Sequence, residues 1–211
     1  MGDVFSWSMV TALGAFHGIN PGMGWLFAVA LGLQERRRGA VLAALVPLGL
    51  GHALAVAAAV AVAVLAGAVL PAGVLRWIVG AGLLLFGVLR LVSHRHPRWA
   101  SMRVGFRRLT LWSFLMATAH GAGLMVVPVF LGMVEAASPH ACHVPATAGG
   151  TFMASILATG LHAAGYLSVT AIISVVVFEK VGVGLLRKAW LNLDILWAAA
   201  LILTGLLTFL L

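Results

Sequence analysis

Acidic residues are nearly missing from this chain. Five Asp and Glu stand in 211 residues against thirteen Lys and Arg, and charged residues of both signs make up only 9%. A soluble domain carries about 25%. With 63% hydrophobic residues and a mean hydropathy of +1.11, this scarcity excludes an ordinary water-soluble globular domain. Cysteine is limited to Cys142, which excludes an intramolecular disulfide. That residue is left to pair between chains or to stay a free thiol, and an incidental residue is the simpler reading. No G-x-x-x-x-G-K-[ST] stretch occurs, so ATP hydrolysis by this chain is not expected. The alternating segments of about ten residues that build a transmembrane barrel are absent. A cleavable leader is not expected either, because Met-Gly-Asp-Val lacks a positive n-region and the first apolar run is too long for an h-region. What is left is an all-α polytopic membrane protein.

Six spans can be read, at about 4–33, 40–66, 72–92, 109–134, 148–178 and 189–211. Basic residues then set the orientation. Arg36, Arg37 and Arg38 fall between spans one and two; Arg90, Arg95, Arg98, Arg103, Arg107 and Arg108 beside or between spans three and four; Lys180, Arg187 and Lys188 between five and six. Twelve of the thirteen thus lie on one side, which the positive-inside rule makes cytoplasmic, with both termini outside. Arg76 is the exception, near the outer end of span three, where it can snorkel to the headgroups. The expected location is the cell (inner) membrane, as a multi-pass protein. The net charge of +8 belongs to these short loops and to contact with anionic lipid. It does not call for nucleic acid, since HRHPR (residues 94–98) is too short for a binding module.

The two halves resemble each other. FHG (16–18) is followed by GHALAVAAAVAVAV from Gly51, and AHG (119–121) by LHAAGYLSVTAIIS from Leu161. Leu75-Arg76 and Leu186-Arg187 open the third spans. Three spans per half, an odd number, set the second half upside down relative to the first. One transmembrane domain therefore reads as a 3+3 inverted repeat: repeat one about 4–92, a cytoplasmic loop 93–108, and repeat two about 109–211. Secondary transporters recurrently use this architecture, with the site near the bilayer midplane.

Four histidines fall near the middle of long apolar runs: His17 in 4–33, His52 in 40–75, His120 in 109–134 and His162 in 148–178. A single one reads equally well as a hydrogen-bonder to a neighbouring helix. Four at matched depth point to a polar site inside the bundle, because an ionisable group there is costly. The repeat predicts that His17 and His120 approach each other, with His52 and His162 flanking them.

GAFHGINPGMG (14–24) is the densest stretch. Pro21 lacks the N–H that would bond the carbonyl of His17, so a free carbonyl, an imidazole and the Asn20 amide at i+3 share one face. Such a set suits a cation, and imidazole suits Ni, Co, Cu and Zn. Gly14, Gly18 and Gly22 allow another helix to approach closely, which is more often packing than chemistry. Pro47 and Pro128 read as kinks. Met23 and Met125 follow the two His-Gly pairs and read as core filling or as soft ligands. Asp194, the only acid well inside a span, either pairs with Arg187 or Lys188 or relays protons. His140, Cys142 and His143, with Glu135, offer metal-ligand types in the outer loop as a capture site, or an incidental cluster.

The stretch from His17 through Pro21 and Gly22 to Met23 resembles the H-x-x-x-P-G-H signature on the first helix of the NicO-type nickel/cobalt exporters, within the LysE-like transporter superfamily. His17, Pro21 and Gly22 match, while Met23 stands where those exporters have a second His. The His-rich cytoplasmic loop common in them is reduced here to His94 and His96. The resemblance implies a small six-helix exporter of 3+3 repeats that moves a small solute, typically a metal ion, on an ion gradient.

The leading expectation is a secondary transporter, an exporter, of a divalent transition metal such as nickel or cobalt through His17, His52, His120 and His162. The metal is substrate or ligand, and its identity is left open. The alternatives are a haem- or copper-binding integral membrane protein, with midplane histidines as axial ligands, or a LysE-like exporter of a small organic or anionic solute. An integral-membrane metal enzyme ranks last, because such enzymes set carboxylates beside His as general bases and Asp194 is the sole interior candidate. The expected partners are the lipid bilayer and the metal ion, with a homo-oligomer left open.

Overall fold

The computed structural model describes residues 2–92, 105–136, 148–181 and 190–210. Among these every element is helical: α1 Gly2–Ile19, a 3-10 turn Pro21–Met23, α2 Trp25–Glu35, α3 Arg38–Gly67, α4 Ala72–Val92, α5 Phe106–Ala119, α6 Ala122–Ala136, α7 Ala148–Val176 with a π turn Val177–Val181, and α8 Trp190–Leu210. Three helices are long and apolar enough to cross a membrane: Arg38–Gly67, Gly73–Val92 and Gly150–Lys180. A fourth span results if α5 and α6, bent by 62° at their junction, are counted as one. Closed helical hydrogen bonding is what a lipid environment demands of such segments. Large apolar side chains such as Leu65, Val69, Trp77 and Leu85 accordingly face outward.

The runs read as spans one and four are broken helices rather than continuous ones. In the first, Asn20 leaves the helical region, and its side-chain oxygen accepts from the Gly22 N–H at 2.8 Å. Gly24 then takes φ +130°, a conformation closed to most L-residues. A proline alone would kink a helix. A capping Asn, a proline and a left-handed glycine together end one helix and start another. In the second run α5 stops at Ala119, and Gly121 turns the chain with φ +71°. Pro47 and Pro128, by contrast, sit inside the unbroken helices α3 and α6.

Packing is pairwise. The most extensive helix pairs are α1 with α7, α4 with α8 and α3 with α5. Glycines make the first and third of these close. A Cβ on Gly14 would overlap the His162 carbonyl, and one on Gly51 would overlap the Thr110 carbonyl. Gly18 likewise faces the Tyr166 carbonyl of α7, at 2.6 Å from where its Cβ would be. The expected close-packing face is met by Gly14 and Gly18, whereas Gly22 falls in the 3-10 turn, where a Cβ would meet the Asn20 and His120 side chains. The main core gathers Val10, Val56, Leu83, Met125, Phe130, Tyr166 and Leu201. A second, smaller core joins Ala28, Val41, Ala44, Leu48 and Leu109.

Candidate functional site

His17 stands two residues before the end of α1, His52 and His162 in mid-helix on α3 and α7, and His120 at the C-cap of α5. Two of the four therefore lie at the breaks. All are withdrawn from the surface, His17, His52 and His162 completely and His120 to 4% exposure. The rings of His17, His52 and His162 form a triangle with centroid separations of 5.6, 5.0 and 5.3 Å for the pairs 17–52, 17–162 and 52–162. The rings facing His17 are thus those of His52 and His162. His120 joins through Trp197, whose ring lies 4.5 Å from His17 and 5.9 Å from His120. α1 packs along α7 and brings His162 to His17.

Hydrogen bonds set the tautomers. His17 Nδ1 lies 2.6 Å from the Leu13 carbonyl, His120 Nδ1 2.8 Å from that of Met116, and His162 Nδ1 3.2 Å from that of Val10 on α1. A carbonyl only accepts, so in each ring the proton sits on Nδ1 and the neutral imidazole keeps its lone pair on Nε2. The Nε2 atoms of His17 and His162 are buried without a hydrogen-bond partner among the described residues, as are both ring nitrogens of His52 and the Asn20 Nδ2. An unpaired polar atom in a dry interior costs about 1–3 kcal/mol, and several of them gather here in one place.

The backbone of the break is not open. The carbonyl of His17, expected to be freed by Pro21, accepts from the Asn20 N–H at 3.3 Å in a tightened turn. That of Ile19 accepts from Trp25 Nε1 at 2.9 Å, and that of Met23 from the Tyr166 hydroxyl at 2.6 Å. Two residues that the sequence reading passed over now enter, with Arg90, which it used only for orientation. Tyr166 stacks on His52 with centroids 3.9 Å apart. Trp197 stacks on Phe16 at 4.9 Å and donates its Nε1–H to the His120 carbonyl at 2.7 Å. Arg90 donates to the Ala119 carbonyl at the second break, with Nε at 3.0 Å. Tyr166 carried a signal, being four residues after His162 on the same helical face. Trp197, one of seven tryptophans, carried none.

The remaining candidates sort plainly. Asn20 and Pro21 build the first break. Met23 and Met125 are buried in the main apolar core, as core filling requires. Asp194 falls on α8, and its side chain lies outside the described residues. His140, Cys142 and His143 lie outside them altogether, as do His94 and His96. Glu35 and Glu179 are solvent-exposed and paired with Arg37 and Arg38.

Three imidazoles around one tetrahedral ion, each bonded at about 2.0–2.1 Å, hold their centroids about 5 Å apart. The triangle has that spacing. Its orientation differs: the planes of His52 and His162 are within 4° of parallel and stacked. Among the described residues no group of three His, Cys, Asp or Glu side chains stands ready to hold a metal ion. A cavity of about 1460 Å³ opens between α1, α3, α6 and α7, with Leu75 and Arg76 of α4 and Thr208 of α8 also in its lining. No histidine lines it, but it reaches Gly160, two residues before His162, and Val60, two turns beyond His52. Comparison of the chain with protein-family models, with curated proteins and with solved structures finds no match.

Proposed function

We propose that this chain is a secondary membrane transporter, acting as an exporter, of a divalent transition metal ion such as nickel or cobalt. The observation that carries the reading is the tautomer-fixed cluster. His17 and His162 are each tied through Nδ1 to a backbone carbonyl, and among the described residues their buried Nε2 atoms and both ring nitrogens of His52 have no hydrogen-bond partner. Holding Nδ1 on a carbonyl is the usual outer support of a metal-binding histidine. The likeness of His17, Pro21 and Gly22 to the exporter signature points the same way. A cluster of neutral lone pairs favours a cation over the anionic or organic solutes moved elsewhere in the superfamily.

In this reading the chain crosses the membrane six times as an inverted 3+3 repeat with both ends outside, α1–α2 and α5–α6 each forming one discontinuous span. Two features support it. Both halves break beside their His-Gly pair. The main helix pairs also exchange under the repeat: α1 along α7 corresponds to α5 along α3, and α4 with α8 corresponds to itself. Broken helices around a central site are a transporter device. The large cavity is the approach from the side of the α1 N-terminus. The haem alternative is disfavoured by the same triangle, since rings in mutual contact leave no space for a macrocycle between any two of them. We assign no enzymatic step.

Reconstitution tests the reading. Proteoliposomes containing the chain should move Ni2+ or Co2+ across the bilayer when an ion gradient is imposed, and His17→Ala should remove that flux. Equal flux in protein-free vesicles, or full flux in His17→Ala, defeats it.

A further inference from the structure

Three of the four histidines are anchored, and one is not. His17, His120 and His162 each give an Nδ1–H to a backbone carbonyl. His52 has no hydrogen-bond partner for either nitrogen among the described residues. Its ring is held by stacking: it lies on Tyr166 with centroids 3.9 Å apart and planes 5° from parallel. Tyr166 is itself fixed, since it is fully buried and its hydroxyl donates to the Met23 carbonyl at 2.6 Å. It forms a shelf, and His52 rests flat on it.

In that resting position the three rings are not assembled as a coordination site. An ion bound by an imidazole lies in the plane of the ring, along the nitrogen lone pair. The planes of His52 and His162 lie within 4° of parallel with centroids 5.3 Å apart, and among the described residues no three ligating side chains stand placed to hold an ion. Turning His52 breaks no hydrogen bond among the described residues. Turning His17 or His162 would break one.

We infer that His52 is the mobile ligand of the histidine site: it rests flat on Tyr166 and turns off that ring to complete the coordination of an ion held by His17 and His162. Tyr166 is then a positioning residue. It sets where His52 waits, and through Met23 it ties that position to the turn between α1 and α2. The inference rests on the metal-site reading above and adds which ligand moves.

Tyr166 is the only tyrosine in the chain, so a fluorotyrosine label reports this shelf alone. The experiment uses the full chain in detergent, labelled with 3-fluorotyrosine. It is titrated with Zn2+, a diamagnetic cation that imidazole binds well, and followed by fluorine NMR and by calorimetry on the same sample. Wild type should bind Zn2+, and its single fluorine resonance should move and saturate with binding. His52→Ala, or His52→Gln if the alanine variant does not fold, should bind at least tenfold more weakly, and its resonance should stay in place at saturation. Binding by wild type with a stationary resonance overturns the inference. So does a variant that keeps wild-type affinity or still shifts when saturated. If calorimetry finds no Zn2+ uptake by wild type, the metal-site reading itself fails, and this inference with it.

Discussion

His17 and His162 meet with ring centroids 5.0 Å apart, one at the end of the first helix and the other in the middle of the seventh. Their Nδ1 atoms are tied to carbonyls of the same helix, His17 to Leu13 and His162 across the helix interface to Val10. α1 thus supplies one imidazole and orients two. The close approach that allows this comes from Gly14, where any Cβ would overlap the His162 carbonyl.

Gly14→Val should therefore be among the most damaging changes outside the histidines. Prying α1 from α7 costs more than the about 1–3 kcal/mol of ordinary overpacking, because the obstructing atom is backbone. Gly132→Val on α6, whose Cβ would meet nothing within 4 Å, is the control. Thermal unfolding in detergent should show a large loss for the first and little for the second. Equal melting temperatures would remove the close-packing argument.

The break between α1 and α2 should depend more on Gly24 than on Pro21. Asn20 caps the turn and Gly24 carries φ +130°, with a Cβ there lying 2.6 Å from Leu48 Cδ2. Gly24→Ala should cost about 1–3 kcal/mol through backbone strain alone. Pro21→Ala should leave the break in place, since the capping bond and the glycine remain. Helix-resolved hydrogen exchange would show which change lengthens α1.

Trp197→Phe should keep the stack on Phe16 but remove the donor to the His120 carbonyl, now at 2.7 Å. Losing that buried hydrogen bond should cost about 0.5–1.5 kcal/mol. Metal affinity should fall less than in His17→Ala, because both ligands that face His17 stay in place. A stability loss under about 0.5 kcal/mol in denaturant titration would show that the bond contributes nothing measurable.

Both ends of the chain should be reachable from outside the cell. Accessibility labelling at residue 3 and after residue 211 checks this, as does labelling of the natural Cys142 with an impermeant thiol reagent. Reaction only from the cytoplasmic side would overturn the orientation and the inverted repeat.

Much of this was legible in sequence. α3, α4, α7 and α8 fall close to the runs read as spans two, three, five and six, because long uncharged apolar segments leave the backbone few alternatives to a helix. The four histidines stood out for the same reason: polar atoms are conspicuous in such runs. The breaks were harder. Pro21 signals a defect, but Asn20 reads as an amide for a cation site and not as a cap, and nothing marks Gly24 for the left-handed conformation that helps turn a kink into two helices. At Gly121 no proline warns of the turn at all. Which histidines meet was not legible either, since that follows from α1 lying along α7, a pairing set by Gly14, Gly18 and Gly165 against facing backbone.

On the proposed reading, His17, His52 and His162 bind one transition metal ion. Calorimetric titration of purified, metal-free protein with Ni2+ tests it most directly, with wild type beside His17→Ala and His162→Ala. Wild type should bind one ion per chain, and each variant should lose at least tenfold in affinity, about 1.4 kcal/mol. Alanine removes a buried nitrogen that has no hydrogen-bond partner among the described residues, and at the same time leaves a small cavity. The two effects oppose each other, so the melting temperature should change little. Wild type that takes up no ion, or variants that bind as tightly as wild type, would contradict the account.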